Sequence, residues 1–109
     1  MVEQPQLPSP EVNMRVFNSV FRVLRTIVGE QAGESIFWNL QMTRGLSRDD
    51  IPERPAQFVE GIRGIFGDEA TKMMEIAMAK ELQKEFGLES SDGEEGFIEL
   101  VSRATRSFR

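Results

Sequence analysis

The amino-acid sequence predicts one all-α domain, a compact bundle of four to five helices with short connections. Three observations predict it. Apolar residues recur at intervals of three and four along most of the chain, the period of a helix with one buried stripe. No stretch of four or more residues alternates strictly between apolar and polar, as a half-buried strand would. Glycine and proline fall between the periodic stretches, where helices stop and start. With 109 residues, the chain is long enough for one core and short for two.

The elements follow in order. Residues 1–9, with Pro5 and Pro8 and little apolar surface, read as a flexible tail ahead of a single helical domain over 10–109. Ser9 is placed to cap a helix, Pro10 to fill its first position, and Glu11 to favour the positive end of its dipole. Val16, Val20, Val23 and Ile27 form one row, and Phe17, Phe21, Leu24 and Val28 form the next, before Gly29 ends the helix. A second helix is expected from Gln31 to Arg44, with Ala32, Ile36, Phe37 and Leu40 inward and Gly45 as its stop. Residues 46–54 read as a polar connector anchored by Ile51, directly before Pro52. Pro55 opens a short third helix with Phe58, Ile62, Ile65 and Phe66 on one side. Gly67 closes it, and Asp68 with Glu69 caps a fourth helix that carries Ala70, Met74, Ala77, Met78 and Leu82 as far as Phe86. Gly87 suits a left-handed cap with Leu88 folding back. Asp92 and Glu95 fit a capping box for a last helix presenting Phe97, Leu100, Val101, Ala104 and Phe108.

Composition narrows the chemistry. The chain has no Cys, no His and no Tyr. That removes thiol and imidazole nucleophiles, disulfides, and zinc sites built from Cys or His. Carboxylates, Ser, Thr, Lys and Arg remain. Thirteen basic against eighteen acidic residues leave a net charge of -5, a balance that disfavours a nucleic-acid partner. The first nine residues show no basic-then-apolar export signal, and Arg22, Arg25 and Glu30 interrupt the most apolar stretch well short of the ~20 residues that span a bilayer. A cytoplasmic location with no membrane partner is the expectation. None of the patterns GxxxxGK[ST], GxGxxG or GxSxG occurs, and Gly61, Gly64 and Gly67 sit at helical spacing, where they permit close packing.

Four groups of side chains are candidates for function. Glu81 with Glu85, and Glu95 with Glu99, stand one helical turn apart, as acids do in metal-holding bundles. Such sites usually add a His, and Lys80 and Lys84 flank the first pair, so solvated faces are the expectation, with no metal, cofactor or catalytic residue. Arg15, Arg22 and Arg25 share one side of the first helix and form a candidate anion-binding row; Arg103, Arg106 and Arg109 make a similar ladder. Either set also reads as the polar face of an amphipathic helix. Met73, Ile76 and Ala79 point away from the Met74, Met78 and Leu82 row, so the fourth helix is either central in the bundle or shared with another subunit. Trp38 follows Phe37 directly; the stripe takes Phe37 and leaves Trp38 at an edge, as an interface anchor or as a cover for the core's rim.

Residues 51–88, through Ile51 and Pro52, Pro55, Phe58, then Ile65, Phe66 and Gly67, and finally Phe86, Gly87 and Leu88, resemble the Nitrosopumilus output domain family of archaea. The helix pair ending near Gly45 and Leu46 and the closing helix with Phe97 extend the likeness over most of residues 12–108. Members are small helical modules found alone or attached to sensor regions. The resemblance implies an all-helical fold, an archaeal intracellular setting and a signalling output role, and it carries no catalytic residues. The combined expectation is a non-enzymatic module that presents a helical surface to a protein partner or to its own copy as a homodimer. Trp38, Met73, Ile76 and Ala79 are the candidate interface. The alternative is a regulator that binds nucleic acid or a small anionic ligand through Arg15, Arg22 and Arg25.

Overall fold

Two helix junctions in this chain consist of one glycine each. In the computed structural model, which describes residues 10–88 and 96–107, α1 (Pro10–Val28) meets α2 (Glu30–Arg44) at Gly29, and α4 (Pro55–Phe66) meets α5 (Asp68–Phe86) at Gly67. Gly29 has φ 97° and ψ 165°, and Gly67 has φ 87° and ψ 176°. That backbone region is closed to almost every residue with a Cβ. Each glycine N–H donates back to the helix it ends, Gly29 to the Arg25 carbonyl and Gly67 to the Arg63 carbonyl, both at 2.8 Å. Each glycine carbonyl then accepts the first bond of the next helix, from Gly33 and from Thr71. One residue therefore closes one helix and opens another with both of its own backbone groups bonded.

Between α2 and α4 lies α3 (Asp50–Glu53), followed at the end of the fold by α6 (Phe97–Ser107). The described residues thus hold six helices and no strand, where four to five helices were expected. The additional helix is one turn inside the presumed connector, and a small polar network explains it. The Ser47 N–H and hydroxyl both donate to the Asp50 carboxylate, at 2.9 and 3.1 Å, and Arg54 meets the same oxygen at 2.9 Å. The turn so fixed drives Ile51 and Pro52 into the core. The Ser47 N–H holds the Asp50 carboxyl below its ordinary range, Arg54 adds to the effect, and partial burial opposes it.

The core runs through all six helices and is filled chiefly by valine, leucine, isoleucine and phenylalanine. α5 packs on α1, α4 and α6, and its contact with α1 is the most extensive in the fold. Among the described helices, α2 packs on α1 and α4 alone. It is seated by two close approaches. A Cβ on Gly61 of α4 would collide with a Leu40 methyl, and one on Gly33 would stand 3.3 Å from the Phe21 ring. Gly87 ends α5 in the left-handed conformation, and Leu88 folds back to bond the Gln83 carbonyl and pack on the core.

Several local expectations are corrected. Ala32 is exposed, because the closest approach of α2 to α1 needs the bare backbone of Gly33 on the inner side instead. Ile27 and Ile65 are exposed as well, each in the last turn of its helix, where neighbouring helices no longer cover the stripe. Asp68 and Glu69 make no capping bond at the head of α5, since Gly67 occupies the cap position. Ser9, Asp92, Glu95, Phe108 and the 1–9 tail lie outside the described residues.

Gly67→Ala forces a Cβ into a conformation that costs about 1–3 kcal/mol, and urea unfolding followed by circular dichroism should show a loss of that size. Asp50 gives a pH test with a defined sign. Its folded pKa is lowered, so its contribution is complete above the unfolded value of about 3.9 and fades as pH falls below it. The stability difference between the natural chain and Asp50→Ala should hold down to about pH 4 and shrink as pH falls further, as the linkage requires.

Candidate interaction surfaces

Arg15 and Arg22 stand seven residues apart on α1, and Glu81 and Glu85 stand four apart on α5. The two helices lie antiparallel, so these rows meet. Arg15 Nε lies 3.0 Å from a Glu85 carboxylate oxygen, and its Nη2 donates to the Glu85 carbonyl at 2.9 Å. The same guanidinium covers the Phe86 ring at 4.4 Å. Arg22 pairs with Glu81, which Lys84 also approaches at 4.0 Å. Ser19, on the same side of α1 as both arginines, has a short side chain that is fully buried. Two sets of residues that each suggested a ligand site in isolation are therefore partners of one another. Their carboxylates face guanidinium groups, and two guanidinium forks of the candidate anion-binding row are engaged. Arg25 remains exposed, with its guanidinium 5.4 Å from the Phe21 ring. Among the described residues, no group of three acidic, His or Cys side chains converges on one point.

The candidate interface divides differently. Met73 and Ile76 face solvent from α5, 71% and 53% exposed. Ala79 does not join them; it is 8% exposed and belongs to the core. Three residues before Leu82 and seven before Phe86, it lies on the inward arc of α5 with these buried residues. Lys72, Lys80 and Lys84 surround Met73 and Ile76 on the exposed side.

Trp38 is 65% exposed on α2, opposite the buried set Gly33, Ile36, Phe37 and Leu40. Met42, four residues later on the same side, is equally exposed. Sequence reasoning passed over Met42, although its spacing from Trp38 puts the two side by side off the inner stripe. A large indole and a thioether side by side in water are an uncommon surface for a small domain, and a frequent one for a binding face.

Arg44, at the end of α2, lies across Gly61 and Gly64, with its Cδ 3.3 Å from where a Gly61 Cβ would stand. It separates two shallow depressions of about 320 and 310 Å³. One is lined by Leu46, Ala56, Gln57 and Glu60, the other by Asn39, Thr43 and Ile65. Both are open; the first is mainly apolar, and the second is lined by the polar side chains of Asn39, Thr43 and Arg44 beside Ile65.

No helix among the described residues is long and apolar enough to cross a membrane. The chain matches no protein family, no curated protein and no solved structure. What the fold and its surface define is a small all-α domain with two exposed apolar helix faces, on α2 and on α5.

The α1–α5 ion pairs are measurable. A double-mutant cycle on Arg22→Ala and Glu81→Ala should return a coupling energy of about 0.5–1 kcal/mol, shrinking in high salt, because Arg22 is half exposed.

Proposed function

We propose that the protein is a non-enzymatic interaction module that signals by presenting helical surfaces to another protein. The observation that carries this reading is the pair of exposed faces, Trp38 with Met42 on α2 and Met73 with Ile76 on α5, in a domain whose other large apolar side chains are mostly packed. An exposed indole loses little entropy and gains much area when a partner covers it, and a flexible thioether adapts to the covering surface. Composition supports the non-enzymatic part, since the residue types that most often act as nucleophile or base at neutral pH are missing. The acids and arginines best spaced for chemistry are held in mutual pairs, which takes Arg15 and Arg22 away from an anionic ligand. An intracellular signalling role in an archaeal cell, as the likeness to the Nitrosopumilus output domains implies, belongs to this proposal.

A photo-crosslinking amino acid placed at position 38 or 73 tests it in the cells that make the protein. Covalent adducts with protein should form at both positions and at neither exposed polar control, Gln57 or Thr26. Ile76→Glu should reduce adducts at position 73, and Met42→Glu those at position 38, while the melting temperature stays within a few degrees, as for surface substitutions. Adducts no more frequent than at the controls would remove both faces from consideration.

A further inference from the structure

We propose that the partner of one face is the other face on a second copy: the outer side of α2 docks antiparallel on the outer side of α5 of the next molecule, giving head-to-tail assembly. This rests on the interaction-module reading and names its partner.

Spacing is the first support. Along α2, Glu30, Glu34, Trp38 and Met42 recur every four residues. Along α5, read from its C-terminal end, Lys84, Lys80 and Ile76 recur every four, with Met73 three further on. Laid antiparallel, the two rows set Glu30 by Lys84, Glu34 by Lys80, Trp38 by Ile76 and Met42 by Met73. Each step rises about 6 Å except the last on α5, where three residues rise about 4.5 Å. Acid meets base, apolar meets apolar, and i±4 ridges are the ones that most often interdigitate between helices.

The second support is what these charges lack at home. Glu30, Glu34, Lys72 and Lys80 are exposed and take no ion partner among the described residues, although Arg15, Arg22, Arg54 and Arg63 all find one. Lys84 reaches Glu81 only at 4.0 Å.

Geometry supplies the third. α2 does not touch α5, and both faces point away from the core, so one chain cannot close the contact on itself. Pairing of α5 with α5 would bring Lys72, Lys80 and Lys84 against the same lysines, with Glu69 and Asp68 exposed beside them and Asp68 already paired with Arg63. The contact between unlike faces avoids that repulsion. Because it leaves an unused α2 at one end and an unused α5 at the other, it continues into rings or open chains. Two helix faces bury close to the lower limit of a specific interface, about 1,000 Å² in total, so assembly grows with concentration.

Sedimentation of the full chain across a concentration series tests this with Trp38→Glu and Ile76→Glu. The natural chain should pass beyond dimer as concentration rises. Each variant alone should stay monomeric with an unchanged melting temperature. Mixed in equal amounts, the two should form a heterodimer and stop there, since the only intact faces are α5 of one and α2 of the other. Glu34→Lys and Lys80→Glu should each weaken assembly by about tenfold, and the double variant should recover it. A natural chain that stays monomeric, a mixture that does not recover, or loss of assembly through one face alone would each overturn the proposal. A monomer that still crosslinks to another protein through position 38 or 73 overturns head-to-tail assembly and leaves the module reading standing; a monomer without adducts overturns both.

Discussion

The arrangement of the helices depends on one phenylalanine ring. Phe58 of α4 is fully buried, with Phe37 of α2 stacked on one side and Phe97 of α6 tilted on the other, each 6.2 Å between centroids. Phe37 in turn meets Phe17 and Phe21 of α1 edge-on, at 4.9 and 5.6 Å. Five rings from four helices thus form one continuous series, in the offset and edge geometries that ring quadrupoles favour. Removing the central ring would cost about 3–5 kcal/mol. That is a large share of the roughly 5–15 kcal/mol by which a domain of this size is stable.

α5 contributes no ring to that series and is held by other means. Met74, Met78, Leu82 and Phe86 fill the space between α1, α4 and α6, and the arginines of α1 clasp its outer edge. α2 is the opposite case. It has the aromatic series and two glycine approaches, and no contact with α5 or α6. Among the described helices, the one with the fewest neighbours carries the chain's single tryptophan, exposed, and this combination lets it offer a broad outer face.

Much of the fold was legible in the sequence. The bounds of α1, α4 and α5 follow from proline and glycine placement, and the inner rows of α1, α5 and α6 follow from period. Glycine spacing also pointed to close packing on α4, which Gly61 fulfils against Leu40. The turn at α3 was missed because its stability lies in the Ser47, Asp50 and Arg54 network, which leaves no apolar period to read. Ala79 was misplaced because α5 is covered on three sides, so its buried arc is wider than a single stripe. The meeting of Arg15 and Arg22 with Glu85 and Glu81 was hidden for a different reason. Each row is visible alone, but their pairing depends on two helices separated by dozens of residues lying antiparallel, and helical period carries no information about that.

The single-residue joints at Gly29 and Gly67 have a consequence for how the length of this chain could vary. An α-helix turns by about 100° for each residue. One residue removed between Gly29 and the inner row of α2 would therefore rotate everything after it and carry Trp38 into the place of Phe37. The bulkier indole would be forced among Phe17, Phe21 and Phe58, and Phe37 would shift into the place of Ile36. Deletions and insertions there are tolerable only in near-whole turns, whereas the stretch at 45–49 has irregular backbone that absorbs a change of one. The number of residues between the joints is thus as much a part of the fold as their identity.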